Sequence, residues 1–386
     1  DLMAVTDNVG QTMTYVYNSK GQFTRLTDSQ GNQIVNTVDY AGHKVQTNDP
    51  DQGTWTYEFN GFGELVRQID ARGVAIIQEY DPLGRLIRRI DNAAYNGHAS
   101  RPGIDVQTTC WTYDISPMGS TGQNTIGALG TEELFSGMID CQSPVAQLQT
   151  NYYVYDNFAR SKGLSQGIRT EDGNSMDFFY TETRFEAHSS RVAGTVLPRG
   201  VTIRNHYDAY GDLIKVTDWD DTSKVYYTLN DRDAFGNAVD ETIGYGAAAI
   251  PTSKGYSPTT GYLDWIIAGR QGDALVDFNQ TFDAIGNVLS RNDSIADRLE
   301  TFGYQENGQA NALNRITRFT VNGGLAKSYS YDALGNIRTK SDVGEYQYAS
   351  RGGPHQVAAI TNGKGTVRSF GYDANGNMLS DNDLVD

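Results

Sequence analysis

Hydrophobic and polar side chains alternate with a period of two over short runs along the chain. Trp55-Thr56-Tyr57-Glu58-Phe59 and Val201-Thr202-Ile203-Arg204-Asn205-His206-Tyr207 place aromatics and aliphatics on one face, and Ser328-Tyr329-Ser330-Tyr331 repeats the pattern. A strand points successive side chains to opposite faces, so these runs predict β-strands with one apolar and one small, polar face. Helical spacing is scarce. Glu132-Glu133-Leu134-Phe135 is the one short helix expected.

A second pattern, aromatic-Asp-x-x-Gly-x-aliphatic, punctuates these runs and recurs from end to end. The fullest copies begin at Tyr80-Asp81 with Gly84, Tyr207-Asp208 with Gly211, Phe282-Asp283 with Gly286, Tyr331-Asp332 with Gly335, and Tyr372-Asp373 with Gly376. Weaker copies occur at Tyr17-Asn18, Phe59-Asn60, Tyr155-Asp156 and Asp233 with Gly236. The chemistry of the pattern is that of a hairpin turn. A strand ends at the aromatic, the Asp carboxylate accepts backbone N–H groups of the turn it opens, Gly supplies a positive φ, and the aliphatic residue starts the next strand. Other turns, such as Asp28-Ser29-Gln30-Gly31-Asn32, Asp70-Ala71-Arg72-Gly73 and Asn322-Gly323-Gly324, fall between the main ones. Phe59 and Tyr80 stand 21 residues apart and Tyr331 and Tyr372 stand 41 apart, near one and two units of a repeat of the 20-residue class. The expected fold class is all-β: repetitive hairpins in a long antiparallel sheet, forming a single repeat region over 1–386.

Two segments break the rhythm, 93–150 and 244–277, which are rich in Gly, Ser, Thr and Ala and carry Pro102, Pro117, Pro144, Pro251 and Pro258. They are expected to be insertions or long loops off the sheet. Cys110 and Cys141 are the two cysteines and lie in the first of these segments, where they either pair or stand as separate thiols; no histidine neighbours them at zinc-ligand spacing. Gly 42, Tyr 24 and Phe 14 in 386 residues fit turn-rich β-structure with aromatic packing. A formal charge of −16 argues against nucleic acid as a partner, because phosphate binding needs clustered Lys and Arg. No apolar run approaches the roughly 20 residues of a membrane span, and residues 1–30 lack a basic start and apolar core, so the chain is expected to be soluble with any export signal elsewhere.

Candidate chemistry is thin. Most aspartates occupy turn positions that local hydrogen bonding accounts for. Asp218-Trp219-Asp220-Asp221 and Asp49-Pro50-Asp51-Gln52-Gly53 are oxygen-rich but do not match the twelve-residue calcium loop, and are read as solvated turns. His43, His98, His188, His206 and His355 are scattered with no nucleophile motif; His355 is expected to pack or hydrogen-bond. Trp55, Trp111, Trp219 and Trp265 suit either core packing or stacking on sugar rings. No catalytic, metal or cofactor-binding residue is assigned, and the expected cofactor list is empty.

The quoted turns resemble the YD-repeat family, which includes bacterial Rhs proteins, the B and C components of insecticidal toxin complexes, wall-associated proteins and animal teneurins. The phrases Leu313-Asn314-Arg315-Ile316-Thr317 and Gly353-Pro354-His355-Gln356-Val357, shortly before Phe370-Gly371-Tyr372-Asp373-Ala374-Asn375-Gly376-Asn377-Met378, are similar to its bacterial Rhs branch. The resemblance covers nearly the whole chain. It implies a sheet that spirals into a hollow β-shell enclosing a C-terminal toxin or effector, in a protein that a bacterial secretion system delivers outside the cell or to its surface. It also implies that the remainder of a larger shell is a partner, since family shells use more chain than this. Family members often cut themselves through aspartate chemistry near the end of the repeats. Asp81-Pro82 lies in an ordinary repeat far from that position, so no protease residue is carried over. The expected role is therefore structural and non-enzymatic; the alternative is a surface adhesion or carbohydrate-binding module with glycans as partners.

Overall fold

A computed structural model of the chain describes residues 1–93, 105–115, 125–141, 147–270, 272–306, 309–349, 353–363 and 365–383. They form an all-β molecule in which 31 strands share one sheet. Each strand of that sheet pairs antiparallel with its next strand in sequence, from Ala4–Thr6 with Thr12–Tyr17 through to Gly365–Tyr372 with Met378–Asp383. A separate small hairpin of Gln305–Glu306 and Gln309–Ala310 lies between the paired strands Arg298–Gly303 and Arg318–Val321. The result is an uninterrupted meander, the topology that short hairpin turns alone can build.

The described parts of the segments 93–150 and 244–277 correct the expectation of loops off the sheet; 94–104, 116–124, 142–146 and 271 lie outside the described residues. Gln107–Tyr113, Leu129–Ser136 and Gln147–Tyr155 pair in order within the first, and Ile250–Tyr256, Leu263–Arg270 and Asp273–Phe282 within the second. Their Gly-, Ser- and Thr-rich composition reads as loop, but a strand in a thin wall needs its backbone hydrogen bonds more than a continuous apolar face. The short helix expected at Glu132-Glu133-Leu134-Phe135 is likewise strand, within Leu129–Ser136, because ladders on both sides capture its backbone. Phe135 is buried there.

The wall is one layer thick. The chain exposes 23038 Å², whereas a compact monomer of 42.4 kDa would expose roughly 15,000 Å². The densest conventional core lies where Ala75, Ile90, Ala93, Thr108, Cys110 and Phe135 are buried together. There a disulfide joins Cys110 to Cys141 with Cα atoms 5.7 Å apart. It pins Gly137–Cys141 back over the sheet, where Gly137 N–H donates to Val106 O and Thr108 Oγ1 donates to Gly137 O.

Because consecutive hairpins alternate, the ribbon of strands has two edges of turns. The aromatic-Asp turns at Asn18, Asn60, Asp81, Asp156, Asp208, Asp233, Asp283, Asp332 and Asp373 lie on one edge, together with a turn of the same form at Asp39, which follows Val38. The other edge carries the turns at Asp7, Asp28, Asp49 and Asp70, spaced at intervals of 21 residues. Sheet twist accumulates along the meander, and the ribbon winds until its late strands meet its early ones. His355 contacts Asp51 across 304 positions, and Asn375 contacts Asp70 across 305.

Candidate functional site

Each aromatic-Asp turn is held by one carboxylate. Asp332 Oδ1 accepts the N–H groups of Leu334 and Asn336, both at 2.9 Å, while Oδ2 accepts Asn336 Nδ2 at 2.9 Å. Asp81, Asp208, Asp283 and Asp373 make the same pair of backbone contacts, two and four residues on. Gly84, Gly211, Gly286, Gly335 and Gly376 stand at φ between 77° and 94°, the left-handed region that closes the turn. A bulge follows at the aromatic, as between Ser330 and Tyr331 and between Gly371 and Tyr372, and increases the local twist.

These hydrogen bonds also set the charge state of the turns. Donation by Asn287 Nδ2 and by the turn amides holds Asp283 below the ordinary carboxylate range, and Asn237 does the same for Asp233. Donation from the Arg85 backbone lowers Asp81, with the Arg85 guanidinium adding to it.

The tyrosines of the pattern have a role that alternation does not reveal. Tyr80 Oη donates to Leu65 O at 2.9 Å, Tyr207 to Val192 O at 2.7 Å, Tyr331 to Ile316 O at 2.7 Å and Tyr372 to Val357 O at 3.1 Å. In all four the acceptor lies 15 positions back, so each hydroxyl ties its repeat to the one before. Phe282 lacks the hydroxyl, and Gln280 Nε2 donates to Leu263 O at 2.8 Å instead. The recurring 15-residue offset between tyrosine and upstream aliphatic residue was the available signal.

The two edges meet in a seam between windings, built almost wholly from turn residues. Asp51 is its centre: Oδ1 accepts His355 N–H at 3.0 Å, Oδ2 lies 2.7 Å from His355 Nδ1, and its carbonyl accepts Gln356 Nε2 at 2.8 Å. The phrase containing His355 thus serves to join windings. One repeat on, Asp70 Oδ2 accepts Arg72 Nε at 2.8 Å and Asn375 Nδ2 at 2.6 Å, and Arg72 Nη1 reaches Asp373 Oδ2 at 3.4 Å. Asn8 Nδ2 donates to Ala312 O at 3.3 Å. Approach is close, since a Cβ on Gly53 would lie 2.6 Å from Ala374 O. Between these contacts lies a cavity of about 560 Å³, whose apolar wall includes Val5, Leu26 and Ile34 from the early winding and Leu313 and Leu334 from the late one.

The remaining candidates are absorbed by the wall. Trp219 is sandwiched between the Arg184 and Arg204 guanidiniums, each 4.5 Å from its ring. Trp55 Nε1 donates to Gln52 O, Trp111 Nε1 to Glu132 Oε1, and Trp265 lies against Gly255. Glu132 also accepts Asn151 Nδ2 and Tyr153 Oη, each at 3.0 Å; burial, then the Glu132 charge, pushes the Tyr153 hydroxyl up to about 12. Asp218 accepts the amides of Asp220 and Asp221 and the hydroxyl of Tyr226. Asp49 accepts the amides of Asp51 and Gln52. Among the described residues no group of three or more His, Cys, Asp or Glu is arranged to hold a metal. His43 stacks on Phe59 and pairs with Asp39, His206 bonds Thr217, His188 is exposed, and His98 lies outside the described residues.

No protein-family model and no curated protein matches the chain. Solved structures do. The TcdB2-TccC3 crystal structure without its hypervariable C-terminal region matches over 97% of this chain and 21% of that one, at TM-score 0.64 and 14% identity. TcdB2-TccC3 itself matches over 99% of this chain and 18% of that one, at TM-score 0.57 and 16% identity. The Tc holotoxin pore of Photorhabdus luminescens matches over 96% and 17%, at TM-score 0.57 and 15% identity. The chain thus spans about a fifth of the length of the chains it matches, and over that length it shares the all-β fold of TcdB2-TccC3.

Proposed function

We propose that the chain is a stretch of wall in a shell that encloses a polypeptide cargo, a toxin or effector segment, and that it acts by steric isolation without catalysis. The observation that carries this reading is the one-layer sheet whose windings join edge to edge through the Asp51–His355 and Asp70–Asn375 contacts. Such a wall stabilises itself along its length through repeat-to-repeat contacts and leaves its inner face open to a guest. The similarity in fold to TcdB2-TccC3, one of whose crystal structures lacks a hypervariable C-terminal region, supports a cargo on the same polypeptide or in the same assembly. Shell components of the same kind are the proposed partners, and secretion or surface delivery is the proposed setting. Glycan binding has no observation in its favour.

The test is a cryo-EM map of the full-length parent protein. Extra density inside a closed wall, together with protease resistance of that density until the wall is denatured, is the expected result. An open sheet with nothing inside would overturn the proposal.

A further inference from the structure

The third residue of the aromatic-Asp turn, counted from the Asp or Asn, projects from the tip of the hairpin beyond the sheet edge. In the late winding this position holds Leu334, Asn375 and, at the similar turn in which Asn311 accepts the N–H groups of Leu313 and Arg315, Leu313. Leu313 and Leu334 line one apolar cavity with Val5, Leu26 and Ile34 on the opposite edge of the early winding, and Asn375 donates to Asp70 there. In the early winding the same position holds Lys20 and Ala41 at the first two turns, and then Phe62, Leu83, Phe158, Tyr210, Phe235 and Ile285, these six all between 64% and 94% exposed. Water-exposed turn tips ordinarily carry small or polar residues. A row of large apolar side chains along one edge, in line with a joint already made further along it, marks an unsatisfied interface.

The complementary surface is on the same molecule. On the opposite edge, past the part covered by the late winding, Leu197, Ile243, Ile295 and Leu325 flank their turns and are also exposed. They lie at or beside hairpin turns, as Val5, Leu26 and Ile34 do in the seam. The chain therefore presents a free tip edge and a free socket edge, and the seam shows how the two kinds fit.

We propose that the tip edge of one copy docks on the socket edge of a second copy of this chain, continuing the winding from molecule to molecule. The contact is heterologous: the two surfaces differ, so each added copy leaves one of each kind free and the assembly grows without closing. Turn carboxylates on both edges are already satisfied by their own amides, as at Asp283 and Asp28, so docking desolvates few unpaired charges. The inference rests on the fold and the seam and does not depend on what the wall encloses.

Sedimentation velocity over a concentration series tests it. The chain is expected to form dimers and longer species as concentration rises. A tip variant, Phe62→Ser with Tyr210→Ser and Phe235→Ser, and a socket variant, Leu197→Ser with Ile243→Ser and Leu325→Ser, should each associate at least about tenfold more weakly, as loss of buried apolar anchors does. All six side chains project from the wall, so unchanged circular dichroism and melting are expected of both variants. Mixed together, the variants retain one intact edge of each kind and should form one-to-one dimers and nothing longer. A wild-type chain monomeric at every concentration, a tip variant that associates as wild type does, or a mixture that stays monomeric would each overturn the proposal.

Discussion

One aspartate or asparagine at the mouth of each aromatic-Asp turn replaces the backbone partners that a sheet edge would lack. Its carboxylate is stabilised in the charged form, so it binds fewer protons folded than unfolded. An unfolded aspartate titrates near about 3.9, and Asp233 and Asp283 are held lower by Asn237 and Asn287. Their contribution is therefore complete above that value and lost as pH falls through their lower folded values. Urea unfolding between neutral pH and strong acid should show stability declining below roughly pH 4, and Asp283→Asn should make the decline shallower. At the glycine, φ is 91° at Gly335. Gly335→Val forces a β-branched residue into left-handed space, and a loss of at least about 1–2 kcal/mol is expected; an unchanged melting temperature would rule out that strain. Tyr331→Phe removes the hydroxyl that donates to Ile316 O at 2.7 Å. The expected loss is about 1 kcal/mol, read from the denaturation midpoint.

Among the elements, the strand from Gln107 to Tyr113 departs most from the simple hairpin unit. It is joined to its neighbours by longer connections, and the Cys110–Cys141 disulfide, closing 31 residues, ties it to the segment that follows the next strand, Leu129–Ser136. Removing it as Cys110→Ser with Cys141→Ser is expected to cost about 2–4 kcal/mol. Hydrogen exchange should then rise first at Gly137–Cys141 and the strands around Phe135, with the repeats before residue 60 unaffected, because a meander transmits stability mainly between neighbours. Uniform acceleration along the chain would show a more cooperative wall than this.

At the scale of the whole molecule, stability along the ribbon and stability across the seam are separate. Arg72 is the seam residue that touches both windings through charge, pairing with Asp70 and reaching Asp373. Arg72→Ala leaves the well-buried Asp70 carboxylate without its cation, and charged hydrogen bonds of this kind are worth about 1.5–3 kcal/mol. The expected signature is faster exchange at Gly53 and Asn375 with far-ultraviolet circular dichroism unchanged, as strands persist while windings part. If exchange at those positions stays at the wild-type rate, the seam is held by its other contacts, those of Asp51 with His355 and Gln356 and of Asp70 with Asn375.

Much of this was legible in the residues. The alternation in Trp55–Phe59 and Val201–Tyr207 and the Asp-to-Gly spacing of the turns act over four to seven residues, where hydrogen bonds are local and φ preferences intrinsic. The sequence by itself therefore determined strands, hairpins and the order in which they pair. Composition misled at 93–150 and 244–277, where Thr- and Gly-rich strands lack both signals and are held by their neighbours' backbones. Only the tertiary structure decided that Tyr331 reaches Ile316, that Cys110 meets Cys141, and that Asp51 finds His355 across 304 positions. The last follows from sheet twist summed over some two dozen strands, each adding a rotation of roughly 20–25°. No residue encodes that sum alone, so the winding and its seam appear only when the whole ribbon is built.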